Sequence, residues 1–205
     1  MKVTSLASML LILSLSSVSL SYAEAVWYFP FSELGAVWTP GGNWAVGPSS
    51  LFVSESLTGP PSGLDSSAVY CTIPAIPPST RYLTLMFSDD WSMSGSCTGG
   101  WAYTLFEARF SINGGTFILM ASEYGTTENP YTPGYYDDSD SRPITYPVFA
   151  DSGDQVVFRF VSYVEGQATS FTASGIWTIS NMSLVGHGTV DLDPQTWGLI
   201  KSQFI

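Results

Sequence analysis

Basic residues are scarce in this chain. Six Lys and Arg stand against seventeen Asp and Glu, for a formal net charge of −11. Such a surface repels phosphate backbones and anionic lipid, which argues against nucleic acid and membrane surfaces as partners. Reactive groups are equally few: one histidine, His187, and two cysteines, Cys71 and Cys97. A Ser-His-Asp arrangement needs a proton-shuttling histidine. His187 sits in "GHG" after the last strand-like stretch, and no nucleophile elbow occurs anywhere. Two cysteines with so distant a histidine do not make a zinc set. A glycosidase needs two facing carboxylates, and only Glu107 stands mid-strand as a candidate, without a nameable partner and with Arg109 and Arg159 as simpler ion-pair neighbours. The chain therefore reads as one that performs no catalysis.

Long apolar runs are also missing. The apolar stretch "MLLIL" in the first 25 residues falls short of the roughly 20 residues that a spanning helix needs. With Lys2 before it and small residues at Ser21 and Ala23 after it, it has the layout of a secretory signal peptide over residues 1–23. Cleavage there predicts a secreted protein, extracellular or at the cell surface (the periplasm being a further compartment), of about 182 residues and charge about −12, enough for one domain with a real core. Export also predicts an oxidising environment, in which Cys71 and Cys97 are expected to pair as a disulfide.

What the chain does have is Tyr, Phe, Trp, Val, Thr, Ser and Gly in segments bounded by turn residues, with no long stretch at helical spacing. Strands are expected at 68–73, 81–88, 102–112, 116–122, 155–164 and 176–185, with shorter ones at "AVWYFPF", "SLFVSE" and "PITYPVF". Alternation assigns their faces. Thr104, Phe106, Ala108, Phe110 and Ile112 share one side, and Tyr103, Leu105, Glu107, Arg109 and Ser111 the other. Val156, Phe158, Phe160 and Val164 form a second apolar row, with Arg159 opposite. In the closing segment Trp177 and Ile179 fall on one face, and Ile176, Thr178, Met182 and Leu184 on the other. One buried face per strand implies an all-β, antiparallel β-sandwich, of jelly-roll rather than immunoglobulin type, over residues 24–187. Asn113-Gly114 is the best hairpin signal. Residues 123–142, with two Pro, two Gly and four Tyr, read as a long loop.

The order "RYLTLMFSDDW", "AYTLFEARFSINGGTFILMAS", "DSGDQVVFRFVSYV" and "GIWTISNMSLVG" resembles the MAM-like, galactose-binding-like jelly-roll modules of secreted bacterial proteins. Leu85 to Phe87, Ser111 to Phe117, Val157 to Phe160 and Trp177 to Leu184 match their "L-x-F", "S-x-D-G-G-x-x-W", "v-x-l-R-F" and "G-W-x-I-D-D-V-x-l" segments. The resemblance implies the fold and no specific activity. The acidic pair of the closing segment is Ser180-Asn181 here and the hairpin Asp is Asn113, so no ligand or calcium role of those acids carries over. Trp177 is expected to fill the core rather than serve a ligand.

Carbohydrate sites stack sugar rings on exposed aromatic faces and fix hydroxyls with carboxylates and amides. Two stretches read as loops supply such groups: Trp91, Trp101, Tyr131, Tyr135 and Tyr136 beside Asp89, Asp90 and Asn129. Asp137, Asp138 and Asp140 concentrate hard oxygen ligands suited to calcium, without the spacing of an EF-hand; no cofactor is otherwise required. The expected partner is a glycan or a cell-surface protein, and the alternative role is that of a structural or adhesive surface or filament subunit of unspecified oligomeric state. Residues 188–205 read as a linker and a short amphipathic tail, with Trp197, Ile200 and Phe204 at helical spacing in "TWGLIKSQF", which resembles the TWG-x-IK-x-x-F tails of exported bacterial proteins.

Overall fold

A computed structural model describes residues 23–29, 36–47, 50–59, 62–128 and 134–190. The expected signal peptide and C-terminal tail lie almost wholly outside the described residues. Two compact units divide the chain: residues 26–188, and the terminal segments 1–25 with 189–205. Of the latter, the described residues 23–25 and 189–190 are strand.

Among the described residues all nine elements are strands: β1 (Ala23–Phe29), β2 (Val37–Pro40), β3 (Ala45–Val46), β4 (Ser50–Gly59), β5 (Ser62–Ile73), β6 (Thr80–Ile112), β7 (Ile118–Thr126), β8 (Tyr135–Val148) and β9 (Val156–Val190). The described residues contain no helix, and every pairing with a defined register is antiparallel. β6 and β9 are 33 and 35 residues long and pair with each other from Thr80↔Gly188 to Ile112↔Val156. At ~3.3 Å per residue such a ribbon would extend ~100 Å if straight; it is instead folded back on itself.

Strand neighbours change at the fold. Residues 80–98 of β6 and 171–188 of β9 lie between β4 on one side and β8 on the other, giving a first layer ordered β3-β4-β9-β6-β8. Residues 101–112 of β6 and 156–167 of β9 lie between β5 and β7, giving a second layer ordered β2-β5-β9-β6-β7. The corner falls at Gly99-Gly100, where Gly99 takes φ +67° and a Cβ on Gly100 would collide with the Gln167 carbonyl. This double-layered, ribbon-derived arrangement is a jelly-roll sandwich.

The layers meet through the inward rows that alternation predicts. Phe106 of the second layer stacks on Trp177 of the first at 5.2 Å, and Phe87 meets Phe160 edge-on at 6.0 Å. Val156, Phe158, Phe160, Val164, Thr104, Phe106 and Ala108 are fully buried. Trp177 is 1% exposed and also touches Trp44 and Phe160. It plugs the interior. Two polar contacts tie the interior together, as burial favours. Glu55 of β4 accepts from Ser162 (2.7 Å), Ser67 and Asn43, so it joins the layers. Tyr136 of β8 meets Thr104 of β6 at 2.6 Å.

Several expectations change. The stretches 89–101 and 135–142 are strand, not loop, because apart from Gly99 each of their residues pairs with a neighbouring strand, although Ser, Gly and Asp mask the hydrophobic alternation. Leu184 is buried on the same side as Trp177: Asn181, at φ +53°, sits in a bulge at which Met86 faces Ser183 and Ser88 faces Ser180, and the extra residue resets the alternation. The hairpin at Asn113-Gly114 forms with both residues at positive φ (50° and 71°). The expected disulfide is absent; Cys71 and Cys97 are free thiols. Cys97 faces Phe171, which packs on Gly166, whereas Cys71 faces Phe158 further along β9. From Gly166 to Phe158 is eight positions along β9, about 26 Å at ~3.3 Å per residue, well beyond the ~7 Å between Cα atoms that a disulfide tolerates. Burial pushes the Cys71 thiol up to about 12, so it acts as a small apolar side chain.

Candidate functional site

Two sheet surfaces face outward, and they differ. On the first layer, the outward rows are Ser54, Ser56 and Thr58 on β4, Thr172, Ser174 and Ile176 on β9, Ser92, Ser94 and Ser96 on β6, and Tyr135, Asp137 and Ser139 on β8. Hydroxyls here bond to one another across strands, Ser94 to Ser174 and Ser96 to Thr172, each at 3.0 Å. A shallow cleft of about 230 Å³ crosses this surface at Ser56, Ser94, Ser174 and Asp137.

The second layer turns larger side chains outward. Tyr103 and Leu105 of β6 are flanked by Glu165 and Tyr163 of β9 and by Thr126 and Tyr124 of β7. Tyr103 lies 6.4 Å from Tyr124 and 6.1 Å from Tyr163, ring centre to ring centre, so the three phenols form one cluster. Tyr124 is 63% exposed, and Leu64 of β5, opposite Glu165, is 57% exposed. Tyr163 donates its hydroxyl to Glu165 at 2.5 Å. That bond, then burial and the Glu165 charge, push the Tyr163 phenol up to about 12. Burial first, then the Glu107 charge and Tyr124, raise the Tyr103 phenol as well. The Tyr103 and Tyr163 phenols therefore stay neutral across the physiological range, as flat apolar surfaces with polar rims.

Further along this face Arg109 grips Glu107 through Nε and Nη2, both at 2.8 Å. Arg159, opposite Arg109 in the ladder, lies over the rings of Tyr70 (5.8 Å) and Phe117 (5.4 Å). Glu107 and Glu165 have separate partners, Arg109 and Tyr163. Glu165 faces Tyr103 and Glu107 lies four positions further along β6, a backbone separation of ~13 Å at ~3.3 Å per residue.

The residues expected from sequence scatter. Trp91 is 6% exposed and Tyr136 is buried, so neither ring is open to a ligand. Their positions on continuous strands, at inward parity, account for this. Asp89 is also buried: it accepts from Trp177 Nε1 and lies 3.5 Å from Arg142, which also pairs with Glu123. Desolvation raises the Asp89 carboxyl above its usual range, against the Trp177 bond and the Arg142 charge. Asp90 is exposed on the hydroxyl surface, and Tyr135, 62% exposed, stands at its edge. Trp101 is half-buried just past the corner. Tyr131 and Asn129 lie outside the described residues. Asp137, Asp138 and Asp140 are exposed on β8; an extended strand sends Asp137 to one side and Asp138 and Asp140 to the other. Among the described residues no three His, Cys, Asp or Glu side chains gather to hold a metal ion.

Tyr103, Tyr124, Tyr163, Glu165 and Leu64 were not among the expected site residues. For Tyr103 the signal was present, since alternation placed it opposite Phe106; what connects it to Tyr124 and Tyr163 is the ladder register.

No family model matches the chain, and no curated protein matches it in sequence. Among solved structures it is similar to one described as CBM4 structure and function, at 16% identity and TM-score 0.32, over 73% of this chain and 94% of that one. It is also similar to TmCBM61 in complex with β-1,4-galactotriose, at 12% identity and TM-score 0.21, over 80% and 87%. A third is the enzymatically active domain of the bacteriophage CBA120 tailspike protein 4, at 17% identity and TM-score 0.26; the match covers 84% of this chain and 20% of that one. Similarity at this level leaves the ligand to the residues themselves.

Proposed function

We propose that the protein is a non-catalytic binding module, displayed outside the cell, whose second-layer face takes a saccharide chain. The observation that carries this reading is the cluster of Tyr103, Tyr124 and Tyr163 on a solvent-facing sheet, with Glu165 in its rim and Leu64 beside it. Sugars present both C–H faces and hydroxyls. Neutral aromatic rings pack against the former, and carboxylates and phenol oxygens bond the latter. A sheet holds such rings at little entropic cost, because its backbone is already fixed by strand pairing. The separate partners of Glu107 and Glu165 support binding without hydrolysis at this face.

The test is retention on a glycan array by wild type and by Tyr103→Ala, Tyr124→Ala and Tyr135→Ala, with melting curves alongside. Loss of binding in the first two, with Tyr135→Ala unchanged and melting temperatures preserved, is the expected pattern. Binding that follows Tyr135 instead would move the site to the other layer. Failure of wild type to retain any saccharide would reject the reading.

A further inference from the structure

The second-layer face does not end at the tyrosines. Along β9, Arg159 lies four positions from Tyr163 on the same side, ~13 Å away at ~3.3 Å per residue. The floor between them is partly apolar, with Leu105 and Val161 half-buried. At its far end stand two arginines, Arg109 and Arg159, directly opposite each other on neighbouring strands. Like charges in that relation destabilise a sheet, and here they use two of the chain's six basic residues. Glu107 neutralises one of them, holding Arg109 by two hydrogen bonds. Arg159 has aromatic neighbours instead of an acid: its guanidinium rests over Tyr70 and Phe117, and among the described residues no carboxylate forms an ion pair with it. Its buried Nε finds no acceptor among the described residues. The two rings hold the guanidinium without neutralising its charge, which suits a fork for an incoming oxyanion.

Resting on the saccharide reading of the same face, we propose that Arg159, beside Arg109, binds the carboxylate of an acidic saccharide, so that the ligands are uronate-containing chains. The tyrosine cluster holds the sugar rings and the arginine end selects the charge. A planar carboxylate matches the guanidinium fork in two parallel hydrogen bonds, which a neutral hydroxymethyl group cannot do. The net charge of −11 disfavours the approach of a densely charged chain, as it does of a phosphate backbone; the acid preference is set in contact at Arg159, where distant acids are screened beyond about 8 Å at physiological ionic strength.

The experiment compares uronate oligosaccharides with their own methyl esters, with neutral oligosaccharides and with sulfated ones, by array retention and then titration calorimetry. It uses wild type, Arg159→Gln, Arg159→Lys and Tyr103→Ala, each with a melting curve. Wild type is expected to bind acids at least about 10-fold tighter than their esters. Arg159→Gln should erase that preference while keeping the weaker binding to esters, Arg159→Lys should restore it only in part, and Tyr103→Ala should lose both. Equal binding of acids and esters, or an acid preference that survives in a folded Arg159→Gln, overturns the inference and leaves the saccharide face standing. Stronger retention of sulfated than of carboxylated chains also overturns it. Retention of no saccharide at all removes both proposals together.

Discussion

The two layers have the same strand order and opposite exteriors. In each, a short outer strand, a longer partner, β9, β6 and a final strand follow in sequence, and the same two chain segments run through both. Yet the first layer shows water a lattice of Ser and Thr hydroxyls that bond to each other, and the second shows tyrosines, leucine and paired charges. The interior fixes the fold through one row of each strand and is indifferent to the other row. The outward row is therefore free to carry function, and it does so differently on the two sides.

The shared interior offers the strongest test of this contrast. Trp177→Ala removes the ring that touches both layers, and should cost about 3–5 kcal/mol as a large core truncation. The melting temperature should fall by about 10 °C or more at this chain length. A fall of only a degree or two would mean that the layers do not depend on a common core. Next come the exteriors. Tyr124→Ala should weaken saccharide binding by about 10-fold or more, roughly 1.4 kcal/mol, while Tyr135→Ala, equally exposed on the hydroxyl side, leaves it unchanged. Equal losses would erase the distinction between the faces.

A smaller effect is expected from Asp89, which belongs to the first layer but points inward. Its carboxyl pKa is raised by burial, so its contribution to stability is fully present below the unfolded value and is lost as pH rises through the folded one. Urea midpoints of wild type and Asp89→Asn, followed from pH 3 to 7, should show wild type losing ground to the variant towards pH 7. The opposite trend would mean that Arg142 and the Trp177 bond outweigh desolvation. The smallest effect belongs to the hydroxyl lattice. Ser94→Ala breaks one exposed cross-strand hydrogen bond, so stability should change by about 0.5 kcal/mol or less and saccharide binding not at all. A binding loss there would sharpen interest in the first-layer cleft.

Much of the interior was legible in the alternation of single strands. Phe106, Phe110, Phe158, Phe160 and Trp177 are buried as their spacing implies, because an extended chain sends every second residue to the same side. The turn at Asn113-Gly114 was legible for an equally local reason, the tolerance of both residues for positive φ. Trp91 and Tyr136 were harder. They lie among Ser, Gly and Asp, where composition resembles a loop, and only the completed ladder to a neighbouring strand shows them to be inward-facing. Leu184 was misplaced by one bulge residue, Asn181, since a single insertion inverts the alternation after it.

Antiparallel strands with one greasy side each follow from the order of residues, because backbone geometry ties side-chain direction to position parity. Tertiary structure alone decided that two of those strands run through both layers, that Cys71 and Cys97 end far apart, and that Tyr103, Tyr124 and Tyr163 meet. Register and the fold at Gly99-Gly100 bring together residues up to 60 positions apart, and no local pattern encodes which rung faces which.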